Sequence, residues 1–363
     1  MRIVYLGMFK DSTVLSGPEK YSKIIFQFVS QSLDSVFIQY YFKCYKKSNF
    51  YNRLLGIETT QENPLVLRLG LIKLLFYLKT YKPDIIHVLS AERFTIIVYI
   101  FKFLFNCKIV TTCHSVLKYE IPRDSARRNK LGRFKDHLWE MLAINFSDNL
   151  IFFSTQQLNL AEKYYLLNKR KITLLPNGVE KEFYNIKKDF VINKRLNIIF
   201  YNGISDSIDR NIKEVIKILN EIKDPSFRLF IIGKEIILND INFEIEFVKP
   251  MNKNDLINFL NDKHILIKST SYDSFPIFTL ECMSAGLIAV VSDNVGISVF
   301  IHTGINSFIY KHDNPGEIKE ILFNIINGRY NLESISNEAK KIFYELNWQK
   351  ISELYVNFYK NSI

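Results

Sequence analysis

Short apolar runs alternate with longer segments of helical periodicity along the whole chain. In the first half, runs of strand length cover residues 3–7, 36–41, 85–89, 108–113 and 149–153. Helical periodicity covers residues 20–33, 65–81, 94–105 and 134–146, and the apolar run 94–105 predicts a buried helix. An alternation of strands and helices is typical of a parallel sheet with helices packed on it.

The second half repeats this rhythm after the turn sequence Pro176-Asn177-Gly178. Strands are predicted at 197–201, 228–232, 264–268 and 289–292, and helices at 210–222, 254–259, 278–285 and 315–326. Residues 333–359 predict one or two closing helices. The pattern predicts an α/β fold of two Rossmann-like domains facing a central cleft, at 1–178 and 179–345. In such sheets a ligand lies beyond the carboxyl ends of the strands.

One segment of the second half carries the strongest functional signal. Asp273 and Glu281 lie eight residues apart, on either side of the turn Phe275-Pro276-Ile277 and the start of a predicted helix. Backbone N–H groups at a helix N-terminus form an anion site, and a carboxylate on each side suits hydroxyl-rich groups. The segment therefore predicts a nucleotide-diphosphate sugar as ligand. An ordinary strand-loop-helix unit with surface acids is the alternative.

Several motifs occur in an order that resembles glycosyltransferase family 4, the large retaining family of the GT-B fold. They are KPDIIHVLS (82–90), TTCHS (111–115), KITLLPNGVE (171–180), FRLFIIGK (227–234), DSFPIFTLECMSAGLIAVVSDNVGI (273–297) and HTGINSFIY (302–310). The closing segment 346–363 is similar to the family's last helix, which crosses back to the first domain. The resemblance implies a GT-B fold and sugar transfer from a nucleotide-diphosphate donor.

The resemblance also implies roles for individual residues of the second half. Glu281 matches the second glutamate of the family pattern and would accept hydrogen bonds from the two ribose hydroxyls. Asp273 matches the first glutamate, which holds the hydroxyls of the donor sugar, but it is one methylene shorter. The backbone N–H groups of Phe275 and Ile277 would bind the diphosphate. Surface carboxylates remain the alternative for both acids.

The resemblance adds His114, Gly17 and Arg210 to the implied donor site and shows one departure from the family pattern, at Ile204. His114 would contact the transferred sugar, and Gly17 would let the backbone approach the phosphate. The family's phosphate-binding arginine is replaced by Ile204, whereas Arg210 can take the place of the family's lysine. A structural histidine and a plain turn glycine are the alternatives for the first two.

Charge and composition add a prediction about partners. The chain has 363 residues and a net charge of +11, and residues 1–175 hold 26 Lys and Arg against 13 Asp and Glu. Arg127, Arg128 and Arg133 belong to the densest basic segment, which predicts the acceptor side or an anionic membrane surface. A solvated basic face is the alternative. Neither a nucleic-acid module nor a metal-binding motif occurs in the sequence, so neither nucleic acid nor a metal is expected.

These patterns together predict a metal-independent, retaining glycosyltransferase that needs no cofactor besides a UDP- or GDP-linked donor. The expected acceptor is a saccharide or a lipid-linked saccharide used for cell-surface polysaccharide. Four cysteines without paired spacing and no secretory signal predict a cytoplasmic protein, peripheral at the inner membrane face if the basic patch binds lipid. Two alternatives stay open: a catalytically degenerate scaffold subunit, and a sugar-nucleotide epimerase or glycogen-synthase-like enzyme on the same fold.

Overall fold

The computed structural model describes two compact units. The described residues are 1–9, 16–40, 49–89, 95–120, 130–188, 195–203, 212–222, 226–233, 235–238 and 240–363. One unit holds those of 1–9, 17–176 and 348–363, and the other holds those of 177–347 together with Ser16. Within these ranges, no helix combines the length and the apolar character needed to cross a bilayer.

Strands and helices alternate along the described residues. The strands are β1 Arg2–Leu6, β2 Asp34–Tyr40, β3 Ile57–Gln61, β4 Val66–Leu69, β5 Ile85–Val88, β6 Lys108–Thr112, β7 Asn149–Phe152, β8 Ile172–Leu174, β9 Leu196–Gly203, β10 Phe227–Gly233, β11 Glu244–Val248, β12 Ile265–Lys268, β13 Ile288–Ser292 and β14 Phe308–Tyr310. The helices are α1 Gly17–Val29, α2 Phe50–Leu55, α3 Leu71–Tyr81, α4 Ile96–Ile100, α5 Leu117–Glu120, α6 Lys130–Phe146, α7 Thr155–Glu162, α8 Lys181–Tyr184, α9 Ile212–Asn220, α10 Lys253–Leu260, α11 Ile277–Ser284, α12 Glu317–Ile326, α13 Leu332–Lys340, α14 Ile342–Leu346 and α15 Trp348–Ser362.

The first unit is built on an eight-stranded sheet in the order β3-β4-β2-β1-β5-β6-β7-β8. Its neighbouring strands are parallel except for β3 and β4, which pair antiparallel at one edge. The central strands β1, β5 and β6 are buried beyond their first residues, as expected for strands covered on both faces. The described part of this unit is therefore a doubly wound α/β sheet.

A buried hydrogen-bond network joins helix α15 to the first sheet. The hydroxyl of Tyr5 on β1 donates to the hydroxyl of Tyr359 on α15 at 3.0 Å. The Tyr359 hydroxyl lies 2.7 Å from Nδ1 of His87, whose Nε2 lies 2.7 Å from Oγ1 of Thr112. Burial lowers the pKa of His87 to about 3, so the ring is neutral. His87 is thus a structural residue, and it fixes α15 on this unit.

The second unit is a six-stranded, fully parallel sheet in the order β11-β10-β9-β12-β13-β14. Strands β10 and β11 lie on one side of β9, and β12 to β14 lie on the other side. The strand order therefore reverses between β9 and β12. Ligands of open α/β sheets bind at the carboxyl ends of the two strands that flank such a reversal. The two sheets, parallel except for the β3–β4 pair, confirm the predicted α/β class.

Three predictions about elements of secondary structure are wrong. The predicted helix 65–81 is strand β4 followed by helix α3, because buried Val66–Leu69 pairs with β2 inside the sheet. The predicted buried helix 94–105 is the short helix α4 and a 3-10 turn, Lys102–Leu104, with Phe103 80% exposed. The closing segment forms three helices, α13 to α15, where one or two are predicted.

Candidate donor-binding site

The candidate site lies on the second unit where its strand order reverses. Strand β9 ends at Gly203, and its neighbour β12 ends at Lys268. From Lys268 the chain runs through residues 269–276 into helix α11. The segment that contains Asp273 and Glu281 therefore follows directly from a strand at the position where the fold places a ligand.

Helix α11 offers an N-terminus to an anion. The helix is apolar and buried on nearly all sides, which fixes its position against the core. Its preceding residue is Pro276, whose side chain has no hydrogen-bond acceptor. The first helical hydrogen bond runs from the N–H of Leu280 to the carbonyl of Pro276, at 3.2 Å. The N–H groups of Ile277 and Phe278 come earlier and carry the positive end of the helix dipole.

The turn before α11 is held rigidly by residues on both sides. Nδ2 of Asn177 donates to the carbonyl of Phe275 at 3.0 Å, and the side chains of Phe275 and Ile277 are buried. The ring of Phe275 packs edge-on against Phe300 at 6.0 Å. These two side chains belong to the core, so only their backbones are available to a ligand. The structural role of Asn177 was missed because its Pro-Asn-Gly sequence indicates only a turn.

Asp273 is fixed through both its backbone and its side chain. Its carbonyl accepts from the N–H of Gly296 at 2.8 Å, and its backbone forms a parallel bridge with Val295. Oδ2 of Asp273 lies 2.7 Å from Nζ of Lys268, and the carboxylate remains 25% exposed. Sequence reasoning did not identify Lys268, because a charge at the end of an apolar run looks like an ordinary strand end.

Glu281 lies in the middle of the buried helix α11. Its side chain is 4% exposed, which is unusual for a carboxylate, because burying a charge without interactions is costly. Glu281 follows the first residue of α11 by four positions, about 6 Å along the helix axis at 1.5 Å per residue. Asp273 precedes that residue by four positions. The structure therefore places one carboxylate before the N-terminus of α11 and one after its first turn.

His114 lies on the first unit, just after strand β6. Its ring packs against Tyr21 at 5.1 Å and Phe153 at 5.3 Å. Burial lowers its pKa to about 4, opposed by a hydrogen bond to the backbone of Leu89. Nε2 is buried and has no partner among the residues that the structure describes, so Nδ1 makes the bond to Leu89. The neutral ring therefore presents Nε2 as a hydrogen-bond acceptor.

Gly17 begins helix α1 and is exposed. A Cβ added at this glycine would meet no atom within 4 Å, so the space in front of it is open. Several predicted residues lie outside the described ranges or have side chains that do: Arg210, Ile204, Arg127, Arg128 and Arg133. Among the described side chains, no group of three or more His, Cys, Asp or Glu is arranged to hold a metal ion.

The arrangement on the second unit is suited to an anion next to hydroxyl groups. The dipole and N–H groups of α11 attract a phosphate, and carboxylates accept from neighbouring hydroxyls with charge-assisted bonds. A ligand with a diphosphate between two hydroxylated groups matches this order of functional groups. Both the anion site and the carboxylates come from the segment that the sequence singles out.

Comparisons with known proteins agree with this geometry. Residues 182–342 match the family model for glycosyl transferases group 1, and residues 54–183 match the model for glycosyltransferase family 4. The chain is similar to MJ1178, an uncharacterized glycosyltransferase of Methanocaldococcus jannaschii, with 23% identity over 233 residues. The similarity covers 58% of this chain and 65% of that relative.

Solved structures show the same fold at low sequence identity. A sucrose-phosphate synthase from Thermosynechococcus elongatus has a TM-score of 0.76 at 14% identity, covering 99% of this chain and 98% of that one. Anabaena Alr3699/HepE in complex with UDP has a TM-score of 0.73 at 14% identity, covering 99% of this chain and 100% of that one. The chain has the GT-B fold and belongs to glycosyltransferase family 4.

Proposed function

We propose that the protein is a retaining glycosyltransferase that moves a sugar from a nucleotide-diphosphate donor to a hydroxyl of a saccharide or lipid-linked saccharide. The observation that carries this proposal is the N-terminus of α11, with Asp273 before it and buried Glu281 one turn after its start. This order matches the diphosphate, the sugar and the ribose of such a donor.

The proposed reaction breaks the bond between the anomeric carbon and the diphosphate oxygen and forms one to the acceptor oxygen. Departure and attack occur on the same face, without a covalent intermediate, and the acceptor proton passes to the leaving phosphate. The N–H groups of Ile277 and Phe278 stabilise the charge that develops on the diphosphate. This stabilisation comes from the protein, so we propose a reaction that needs neither a metal ion nor a cofactor. Arg210 would add a cation at the diphosphate.

The donor is proposed to be UDP- or GDP-linked. HepE, which shares the fold, has been solved in complex with UDP and in complex with UDP-glucose, and this supports a uridine donor as the first candidate. In the proposed complex, Glu281 accepts hydrogen bonds from the ribose hydroxyls and Asp273 accepts from a sugar hydroxyl. His114 contributes Nε2 as a further acceptor for a sugar hydroxyl, and the open space at Gly17 admits a phosphate.

A thermal-shift panel followed by a transfer assay tests this proposal. A nucleotide at a hundredfold excess over its Kd stabilises the native state by about 2.7 kcal/mol, which shifts the melting temperature measurably. We expect a shift with one nucleoside diphosphate and its sugar conjugates, and consumption of that conjugate only when a saccharide acceptor is present. Turnover is expected to persist in EDTA. A protein that is stabilised by no nucleotide would contradict the proposal.

The acceptor side is proposed to face an anionic membrane. Helices α4 and α6 of the first unit pack on each other. Helix α6 exposes Phe134 and Phe146, and the 3-10 turn after α4 exposes Phe103. Helix α6 directly follows the basic segment that contains Arg127 and Arg128. Exposed aromatic residues beside basic ones favour binding at a lipid surface, where each Lys or Arg contributes about 1 kcal/mol.

Flotation with vesicles containing anionic lipid tests the membrane proposal. The double variant Arg127→Glu/Arg128→Glu is expected to lose binding by at least tenfold, since two attractive charges become repulsive. The matched control is Lys169→Glu/Arg170→Glu, which makes the same change of charge at two exposed residues elsewhere in the sequence of the first unit. Equal binding by both variants would show that the basic segment is only a solvated face.

One observation favours a second candidate, a binding subunit without turnover. Asp273, which stands where the family pattern has glutamate, is paired with Lys268 at 2.7 Å, and Ile204 stands where the pattern has arginine. A protein altered in this way would bind a nucleotide or saccharide and leave the donor intact. Nucleotide binding without donor consumption, over a panel of acceptors, would favour this candidate over the transferase.

A further inference from the structure

Lys268 is a buried cation at the point where the second sheet reverses its strand order. It is the last residue of β12, its side chain is 6% exposed, and its Nζ lies 2.7 Å from Oδ2 of Asp273. Burying an ammonium group is costly unless it is paired and hydrogen-bonded. A lysine at the end of a fully buried strand therefore indicates that its ion pair with the carboxylate of Asp273 serves a purpose.

Backbone contacts alone leave the side chain of Asp273 free to rotate. The bridge to Val295 and the hydrogen bond from Gly296 fix the main chain at this position. Rotation about the side-chain bonds would still move the carboxylate by several ångströms. The ion pair with Lys268 selects one orientation, because Oδ2 is held by the ammonium group. The ion pair therefore also fixes the position of Oδ1, the second oxygen of a side chain that is 25% exposed.

We propose that Lys268 is a positioning residue for the donor sugar, which acts by fixing the Asp273 carboxylate. The inference rests on the proposed function and specifies its sugar-binding end. Aspartate is shorter than the glutamate of the family pattern, so its reach depends more on orientation. Pairing also makes the site nearly neutral, which suits a sugar recognised through hydroxyl groups rather than through charge.

The role concerns the sugar and not the nucleotide. Asp273 lies before the N-terminus of α11, whereas Glu281 lies beyond its first turn. Loss of Lys268 should therefore leave nucleoside diphosphate affinity unchanged and reduce the rate of transfer. Misplacing a hydrogen-bonding group by about 1 Å can cost on the order of a hundredfold in rate.

The test compares Lys268→Met with a matched control on the same strand. Lys263 is also a buried lysine, 4% exposed, which pairs with Asp262 just before the opposite end of β12. Lys263→Met therefore removes the same charge from an equally buried lysine, together with an ion pair to the exposed Asp262, away from the site. We expect Lys268→Met to lower kcat by 10- to 100-fold with little change in KM, and Lys263→Met to leave kcat within twofold.

Two further variants separate positioning from stability. Lys268→Arg keeps the charge and the ability to hold Oδ2, so it is expected to recover at least part of kcat. In the background of Asp273→Asn, adding Lys268→Met is expected to change kcat by less than twofold, because the group being positioned is already altered. This comparison stays informative even if Lys268→Met lowers the melting temperature.

The outcomes separate failure of this inference from failure of the proposed function. A wild-type protein without nucleotide binding or turnover would overturn both. Wild-type turnover combined with unchanged kcat in Lys268→Met would overturn only the positioning role. Equal losses of kcat in Lys268→Met and Lys263→Met would likewise overturn it, since the effect would then come from removing any buried lysine.

Discussion

Replacing Glu281 by glutamine should weaken nucleotide binding while preserving the fold. The change keeps the volume of the side chain and removes its charge from a buried position, so no cavity forms. Charge-assisted hydrogen bonds are about twice as strong as neutral ones, so each ribose bond should lose about 1 kcal/mol. Two bonds give a loss of about 2 kcal/mol, which corresponds to a roughly 30-fold higher Kd.

Titration calorimetry with the nucleoside diphosphate that stabilises the wild type measures this loss. A 2′-deoxy nucleotide provides an internal check, because one of the two bonds is then absent from both proteins. The difference between wild type and Glu281→Gln should shrink to about 1 kcal/mol, or roughly fivefold in Kd. The control variant Glu338→Gln changes the same group at an exposed position on α13 and should bind like the wild type.

An unchanged Kd in Glu281→Gln, at an unchanged melting temperature, would refute the reasoning. It would mean that the buried carboxylate serves the packing of α11 rather than the ribose. A loss of equal size with the ribo- and the deoxynucleotide would also contradict it, because the effect would then not pass through the 2′-hydroxyl.

Three predictions concern the stability of the fold. Tyr359→Phe removes the hydroxyl that bonds Nδ1 of His87 and the hydroxyl of Tyr5, and should cost about 1–3 kcal/mol in urea unfolding, whereas Tyr51→Phe at an exposed position should cost almost nothing. Gly286→Ala should lower the free energy of unfolding by about 1–2 kcal/mol and with it the melting temperature, because φ is +87° and the new Cβ would lie 3.0 Å from Oγ of Ser336; Gly316→Ala, with a φ of −57°, is the control. The pKa of His87 is lowered from 6.5 to about 3, so the unfolded chain binds the proton first. The contribution of His87 to stability should fall as pH drops below 6.5, by about 2 kcal/mol at pH 5, and a His87→Gln variant should lose that part of the pH dependence.

The repeated pattern of strands and helices could be predicted because each segment is determined locally. Buried parallel strands such as β1 and β12 are continuous apolar runs, and helix α11 follows a proline turn and ends before Gly286. The wrong predictions of secondary structure occur where tertiary contacts determine the conformation of a segment. Val66–Leu69 has the periodicity of the helix that follows it, and pairing with β2 and β3 makes it a strand.

The candidate site was predictable to the extent that its residues share one segment. Asp273, Glu281 and the turn at Phe275 lie within nine residues of sequence, so their spacing alone indicates a site. Lys268 and Asn177 could not be identified in this way. Their roles depend on contacts with Asp273 and Phe275 that are 5 and 98 residues away in sequence, and a buried strand end or a turn carries no local sign of them.

A crystal structure with the bound nucleoside diphosphate would test the proposed donor site most directly. We predict a phosphate oxygen about 2.7–3.2 Å from the backbone nitrogen of Ile277 or Phe278, with the carboxylate of Glu281 in hydrogen-bond range of the ribose hydroxyls. A diphosphate bound elsewhere, with the N-terminus of α11 facing only water, would contradict it.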